Sequence, residues 1–119
     1  MDNKEFARQL EVRTKKFAIS IIRLSVLLPG SPEGKIIRNQ LTKSGTSVGA
    51  NYREVNRSRS KADFISKIRI CESEISETIY WLEIILDLDW LSSAKIQPAV
   101  SEANELIAIF SSISKTLKT

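Results

Sequence analysis

The stretch Leu27–Glu33, LLPGSPE, separates two long helical patterns. The proline and glycine after Leu28 end one helix, and the next three residues have the properties of a helix start. Ser31 is a good N-cap, Pro32 fits the first helical position, and Glu33 is favoured at the positive end of the helix dipole. The stretch therefore predicts a tight reversal between two helices.

Outward from this reversal, apolar residues recur at steps of three and four. With only 4 Gly and 3 Pro in 119 residues, the chain has little material for loops. Asp2, Ser31, Ser60 and Ser92 are the expected N-caps. The pattern predicts four helices, over residues 3–28, 32–55, 61–87 and 93–117.

Four helices of about 25 residues with short links must fold back on one another. We therefore expect an all-α protein, an antiparallel up-down-up-down four-helix bundle. Residues 1–119 form a single domain in this interpretation, since the length supports one hydrophobic core.

Composition excludes many kinds of catalysis. The chain has no histidine and one cysteine, Cys71, which removes the common triads, zinc sites and histidine-containing di-metal sites. A carboxylate metal enzyme built on Glu72, Glu74 and Glu77 is an alternative, but it lacks histidine ligands. We expect no enzymatic activity, no metal and no cofactor. The charged first residues and the absence of a long apolar run predict a cytoplasmic protein that does not enter membranes.

The net charge of +4 becomes informative when it is placed on the predicted topology. The start of helix 1, the junction of helices 2 and 3 and the end of helix 4 meet at one end, which collects the whole positive excess. We call it the basic end. Its predicted cations are Lys4, Arg8, Arg53, Arg57, Arg59, Lys61, Lys115 and Lys118. A basic surface beside the N-terminus of helix 3 favours phosphate binding, although an exposed Asn-Arg-Ser-Arg-Ser segment is also typical of a plain solvated turn.

Other polar and aromatic residues are predicted to have structural roles. Ser44 and Asn51 fall on the apolar stripe of helix 2 and are predicted as buried groups that set helix register. Glu74 and Glu77 are predicted as buried carboxylates bonded to Lys, Arg or Asn side chains of neighbouring helices. The rings of Tyr80 and Trp81 point sideways or outward, which predicts an interface.

Several motifs then indicate a family. They are Gln40-Leu41, SGTSVGANYRE at residues 44–54, Ser60-Lys61 with Asp63-Phe64, Glu74, Glu77, and YWLE at residues 80–83. In these motifs the chain resembles the four-helix bundle proteins encoded by intervening sequences of bacterial 23S ribosomal RNA genes. These are related to the accessory variability protein of diversity-generating retroelements.

The resemblance implies a bundle that assembles as a homopentameric ring without established enzymatic activity. In the retroelement relatives, a basic ring binds nucleic acid and a reverse transcriptase. We therefore expect weak binding of RNA, or another nucleic acid, through Arg53, Arg57, Arg59 and Lys61, which would contact phosphates rather than bases. The alternative is a scaffold ring that docks a protein partner, with its charge serving solubility.

Overall fold

The computed structural model describes the backbone of residues 2–118 and the side chains of residues 2–116. It consists of α1 (Asn3–Ser25), α2 (Pro32–Val55), α3 (Lys61–Asp87) and α4 (Ser93–Lys118). The described backbone is all-α, with no strand. Within that part of the chain, no helix combines the length and apolarity needed to span a bilayer.

The predicted N-caps are confirmed. Oδ1 of Asp2 accepts a hydrogen bond from the amide of Glu5 at 2.7 Å. Oγ of Ser31 accepts one from Gly34 at 3.1 Å, and Oγ of Ser60 accepts one from Asp63 at 3.0 Å. Ser92 also receives a bond, at 3.3 Å, from a backbone amide in the first turn of α4. Short polar side chains thus fix where each helix begins.

The end of α1 differs from the prediction. The helix stops at Ser25, three residues before the expected end, and the chain continues in a turn that includes Leu28. Arg38 explains how this turn is held, because its guanidinium donates to the carbonyl oxygens of Ser25 at 3.2 Å and Leu28 at 2.9 Å. Carbonyls that lose their helical partners are thereby satisfied by a side chain of α2.

Each helix packs against the next one in the chain, and α4 returns to α1 with the sparsest contact of the four neighbouring pairs. This seam is joined by Arg13 of α1, whose Nε and Nη2 donate to the two carboxylate oxygens of Glu102, each at 2.7 Å. A second carboxylate, Glu105, lies 3.3 Å from Nη2. The hydrogen bonds that Arg13 donates to Glu102 raise the pKa of its guanidinium, which stays charged.

The contact between α1 and α2 depends on two glycines. A Cβ atom on Gly45 would lie 2.6 Å from Cγ2 of Ile21. One turn later, a Cβ atom on Gly49 would lie 3.1 Å from Oγ1 of Thr14. Thr14 is fully buried, and its hydroxyl keeps a hydrogen bond there because it donates to the Leu10 carbonyl at 2.9 Å. A side chain at Gly45 would force Ile21 to move, whereas one at Gly49 would require Thr14 to shift by only a few tenths of an ångström.

The core is continuous along the four helices and includes Phe17, Ile21, Leu41, Ile75, Leu82, Leu106 and Phe110. Tyr52 also lies in it, with its ring centroid 5.5 Å from that of Phe110. In α3 the buried residues are not simply the largest apolar ones. Cys71 and Thr78 are fully buried, whereas Ile79 is half-buried at the edge.

The close approach at Gly45 gives a test of this packing. We expect Gly45→Ala to lower the free energy of unfolding by up to about 2 kcal/mol, because overpacking against Ile21, which costs about 1–3 kcal/mol, exceeds the gain of about 1 kcal/mol in helix propensity. Urea denaturation measures the change. Gly30→Ala is the matched control, since nothing lies within 4 Å of a Cβ atom there. The penalty should shrink in an Ile21→Ala background, and an unchanged or higher stability of Gly45→Ala would contradict the packing described.

Candidate nucleic-acid interface at one end of the bundle

A cleft of about 450 Å³ opens at the end of the molecule where α1 begins and α4 ends. Its wall is largely aromatic and apolar, and it also carries amide and hydroxyl groups. The lining residues are Asn3, Phe6, Ala7, Tyr52, Asn56, Phe64, Ser112, Ile113 and Thr116. The start of α1, the junction of α2 and α3 and the end of α4 therefore meet, as the topology predicts. Met1, the side chain of Lys118 and Thr119 lie outside the described residues.

Phe6 is 41% exposed at the cleft. Tyr52 forms the buried wall, and burial raises the pKa of its hydroxyl while a hydrogen bond with Asn56 opposes this effect. Phe64 is half-buried on the α3 side. Three aromatic rings from three helices thus surround an opening at the basic end.

A second, more polar cleft of about 540 Å³ adjoins the first and shares Ala7 and Asn56 with it. Its charged residues are Lys4, Glu5, Arg8 and Glu11. Arg8 donates from Nε to Glu5 at 3.1 Å, and this contact lowers the pKa of Glu5. Glu11 accepts a bond from Asn56 at 2.8 Å. The second cleft is therefore internally neutralised.

The junction between α2 and α3 contains the predicted phosphate-binding residues. Arg53, Arg57 and Lys61 are exposed, and their side chains form no hydrogen bond or ion pair with the described part of the chain. Arg59 is also exposed, and its backbone amide donates to Oδ2 of Asp63 at 3.3 Å. The structure thus brings the four cations to one end of the bundle.

The N-terminus of α3 is less open than the sequence indicated. The Ser60 hydroxyl accepts from the Asp63 amide there, and the Asp63 carboxylate accepts from the Arg59 amide, one residue before the N-cap. Lys67 adds an ion pair to Asp63 at 3.0 Å, and this contact is the main cause of the lowered pKa of Asp63. An anion would meet the flanking side chains rather than a vacant helix terminus.

Counting described side chains, eight cations at this end face five carboxylates, an excess of three. Glu11 and Lys67 join the predicted set through their bonds to Asn56 and Asp63, and their opposite charges cancel. The predicted excess of four also counts Lys118, whose side chain lies outside those described. The cations are Lys4, Arg8, Arg53, Arg57, Arg59, Lys61, Lys67 and Lys115, and the carboxylates are Asp2, Glu5, Glu11, Glu54 and Asp63.

The predicted buried polar residues divide into two groups. Ser44 is fully buried, and its Oγ accepts a hydrogen bond from Oγ1 of Thr78 at 2.9 Å. Asn51 is only half-buried, and its amide donates to the Ser47 carbonyl of its own helix at 2.8 Å. Thus Ser44 links α2 to α3, whereas Asn51 makes no side-chain bond to another helix within the described residues. The buried position of Thr78 was not predicted, although its three-residue spacing from Ile75 indicates the same face of α3.

The prediction for Glu77 is wrong, because this residue is exposed on the outer side of α3. Glu74 is half-buried. Neither carboxylate accepts the predicted bond from a neighbouring helix among the described side chains. Burial raises the pKa of Glu74, the Glu77 charge adds to this effect, and Lys43 opposes it. Both positions lie too far toward the outer flank of α3 for a place in the core.

Tyr80 and Trp81 form a pair on the same flank, with ring centroids 5.0 Å apart and planes at 64°. Tyr80 is 55% exposed, so its ring is largely uncovered in the single chain. The indole Nε1 of Trp81 is buried with no hydrogen-bond partner among the described residues.

The carboxylates of the alternative metal interpretation do not converge. Glu72 accepts a bond from Ser114 of α4 at 2.6 Å, whereas Glu74 faces the α2 side and Glu77 faces outward. Within the described part of the chain, no three acidic, cysteine or histidine residues are grouped closely enough to hold a metal ion.

The four-helix architecture, with cations and aromatic rings at one end, defines the class of small all-α helical proteins. Comparison with protein families identifies which one. A profile of the 23S rRNA-intervening sequence protein family matches residues 8–112, and the chain belongs to this family.

A solved structure supports the assignment. The chain is similar to a protein with unknown function from the S23 ribosomal protein family of Bacteroides thetaiotaomicron, with 31% sequence identity and a TM-score of 0.83. The similarity covers 88% of this chain and 97% of the other. Comparison with curated proteins gives no match.

Cys71 permits a test of the interior beside the site. Its thiol is fully buried and donates to the Val48 carbonyl at 3.7 Å, and desolvation raises its pKa to about 12. At pH 8 we expect alkylation roughly 10³-fold slower than for an unstructured cysteine of pKa about 8.5. Labelling monitored by mass spectrometry measures the rate, with urea-unfolded protein as the control. Equal rates in the folded and unfolded protein would contradict this burial.

Proposed function

We propose that this protein is a non-enzymatic, cytoplasmic homo-oligomer, a ring of five antiparallel four-helix bundles that binds RNA weakly through its basic end. Arg53, Arg57, Arg59 and Lys61 contact the phosphates. The aromatic cleft beside them receives an unpaired base. The observation that carries the proposal is the position of Phe6, Tyr52 and Phe64 at the same end as these cations.

The antiparallel topology is supported by the order of the contacts. Along α1, Thr14 and Ile21 lie against Gly49 and Gly45 of α2. Further toward the end of α1, Ser25 is bonded by Arg38. Residue numbers rise along one helix while they fall along the other, as in an antiparallel pair.

The chemistry of the basic end favours single-stranded or looped RNA over a regular duplex. Cations without intramolecular partners contact phosphates and release counterions, which supplies affinity without reading sequence. Aromatic rings stack on splayed bases, and each stacked base contributes about 1–3 kcal/mol. A paired base inside a helix cannot enter a cleft of this kind.

Oligomerisation makes weak binding by one chain effective. If several basic ends contact one RNA, each later contact is intramolecular and the apparent affinity rises by orders of magnitude. The exposed Tyr80 ring, the unpartnered Trp81 indole and the apolar residues on the outer face of α1 support self-association.

The arginines of the α2–α3 junction provide the main test. We expect Arg57→Ala/Arg59→Ala to weaken binding to a single-stranded RNA and to lower the slope of log K against log salt by about 1.4, because each lost phosphate contact removes about 0.7 for single strands. Fluorescence anisotropy over a salt series measures both quantities. Lys35→Ala/Lys95→Ala removes the same charge near the starts of α2 and α4 and should leave the slope unchanged.

If both double variants lost the same RNA affinity and salt slope, binding would depend only on the net charge of the protein, which would contradict a site at the basic end. Absence of binding at low salt would contradict RNA binding altogether. In that case, recovery of one protein partner that survives nuclease treatment would favour the scaffold role.

Phe6 tests the cleft separately from the phosphate contacts. We expect Phe6→Ala to weaken binding of single-stranded RNA about 5- to 100-fold, because a stacked base loses its aromatic partner, and to leave the salt slope unchanged. The same anisotropy titration measures the effect. Binding of a blunt RNA duplex is the control and should not change. A reduced salt slope, or equal weakening for both RNAs, would show that Phe6 acts on the fold rather than on a base.

A further inference from the structure

The outer face of α1 carries an apolar stripe that the other described helices leave uncovered. Val12, Ile19 and Val26 recur every seven residues and are 45%, 40% and 64% exposed. Lys15 and Arg23 lie between them, are exposed, and form no ion pair within the described chain. We call these five residues the basic stripe.

The outer flank of α3 has the opposite charge. Ile70 and Leu88 are 42% and 51% exposed, and Trp81 lies between them in the half-buried layer. Glu74 and Glu77 occupy the same side of the helix and have no ion pair with any described residue. We call these five residues the acidic flank. Partial burial raises the pKa of Glu74, and the charge of Glu77 adds to this effect, so a cation placed against the pair would offset the repulsion between the two carboxylates.

The two surfaces lie at the same height along the bundle. Gly49, beside Thr14 of α1, is adjacent in sequence to Val48, whose carbonyl accepts from Cys71 of α3. Gly45, beside Ile21, is likewise adjacent to Ser44, the partner of Thr78. Residues 14–21 of α1 are therefore level with residues 71–78 of α3. By the same offset, Val12 is level with Arg69 and Arg23 with Tyr80, which precede Ile70 and Trp81 directly in the sequence.

We propose that the basic stripe of one copy packs against the acidic flank of the next copy, so that the chain associates head to tail with itself. The inference rests on the self-association in the proposed function and names the surfaces that carry it. Charge complementarity selects a second copy as the occupant. Lys15 and Arg23 face Glu74 and Glu77, while the apolar members of the two surfaces cover each other.

This pairing has a geometric consequence. α1 and α3 share no backbone contact in the described chain, so each copy presents the two surfaces in different directions. Contact between two different surfaces is heterologous, and it forms a ring when the rotation from one copy to the next divides a full turn, as in the five-membered ring of the proposed function. Because the surfaces are level, an axis parallel to the helices keeps every basic end on one face of that ring.

Charge reversal tests the pairing. The basic-stripe variant is Lys15→Glu/Arg23→Glu, and the acidic-flank variant is Glu74→Lys/Glu77→Lys. Each places like charges across the interface, so we expect the mass in solution to fall to that of one chain, 13.4 kDa. The quadruple variant combines all four changes, restores opposite charges, and should regain the wild-type mass. Light scattering after size exclusion measures the mass, and circular dichroism verifies that each variant is helical.

Lys35→Glu/Lys95→Glu changes two exposed lysines that belong to neither surface, is the control, and should keep the wild-type mass. Double variants that also keep this mass would place the interface elsewhere and overturn the inference while leaving the ring intact. A quadruple variant that stays at 13.4 kDa would overturn the pairing of these surfaces. A wild-type protein of 13.4 kDa at tens of micromolar would overturn both the ring of the proposed function and this inference. RNA binding by the monomeric variants should weaken through lost multivalency but keep its dependence on Arg57 and Arg59.

Discussion

The close approach of α1 to α2 at Gly45 and Gly49 is the constraint on which the bundle depends. Each glycine costs about 1 kcal/mol of helix propensity relative to alanine, and the packing that it permits offsets this cost. Ile21 and Thr14 occupy the space that two side chains would otherwise fill. Because α2 also contacts α3 through Ser44 and Thr78, the spacing set on one side of α2 is transmitted to the other.

The cations of the bundle fall into two groups according to whether they have carboxylate partners. In the middle, Arg13 is neutralised by Glu102 and joins two helices. At the basic end, Arg53, Arg57 and Lys61 lack described partners and remain available to an external anion. The aromatic cleft between three helices lies beside them. The cation that joins two helices and the exposed cations at the basic end thus differ in whether a described carboxylate neutralises them.

Much of the fold follows from local sequence rules. The caps at Asp2, Ser31 and Ser60 and the break at LLPGSPE are short-range effects, and they locate the helices to within a few residues. The end of α1 escaped prediction because Arg38, thirteen positions beyond Ser25, satisfies its carbonyl. The buried stripe of α3 was ambiguous because Thr78 and Ile79 lie on adjacent sides of one helix, and the hydroxyl of Ser44 favours Thr78.

The candidate site was predictable as a location but not in its detail. Topology alone gathers the cations at one end, whereas the exposure of Phe6 and the bond between Glu11 and Asn56 depend on how side chains pack across helices. Glu77 shows the same limit, because helical spacing relates it to Glu74 without revealing that Glu77 is exposed while Glu74 is half-buried. Side-chain environment at a helix edge is set by neighbours that are distant in sequence.

The seam between α1 and α4 has a consequence for how the chain folds. The other three helix pairs join neighbours along the chain, so they close short loops, whereas Arg13 and Glu102 are 89 positions apart. The contact between α1 and α4 therefore has the largest loop-closure entropy cost of the four helix pairs. Because this contact is also sparse, it stabilises the bundle little until the other helices are in place. Helical hairpins can assemble first, and the first and last helices then complete the bundle as its final kinetic step.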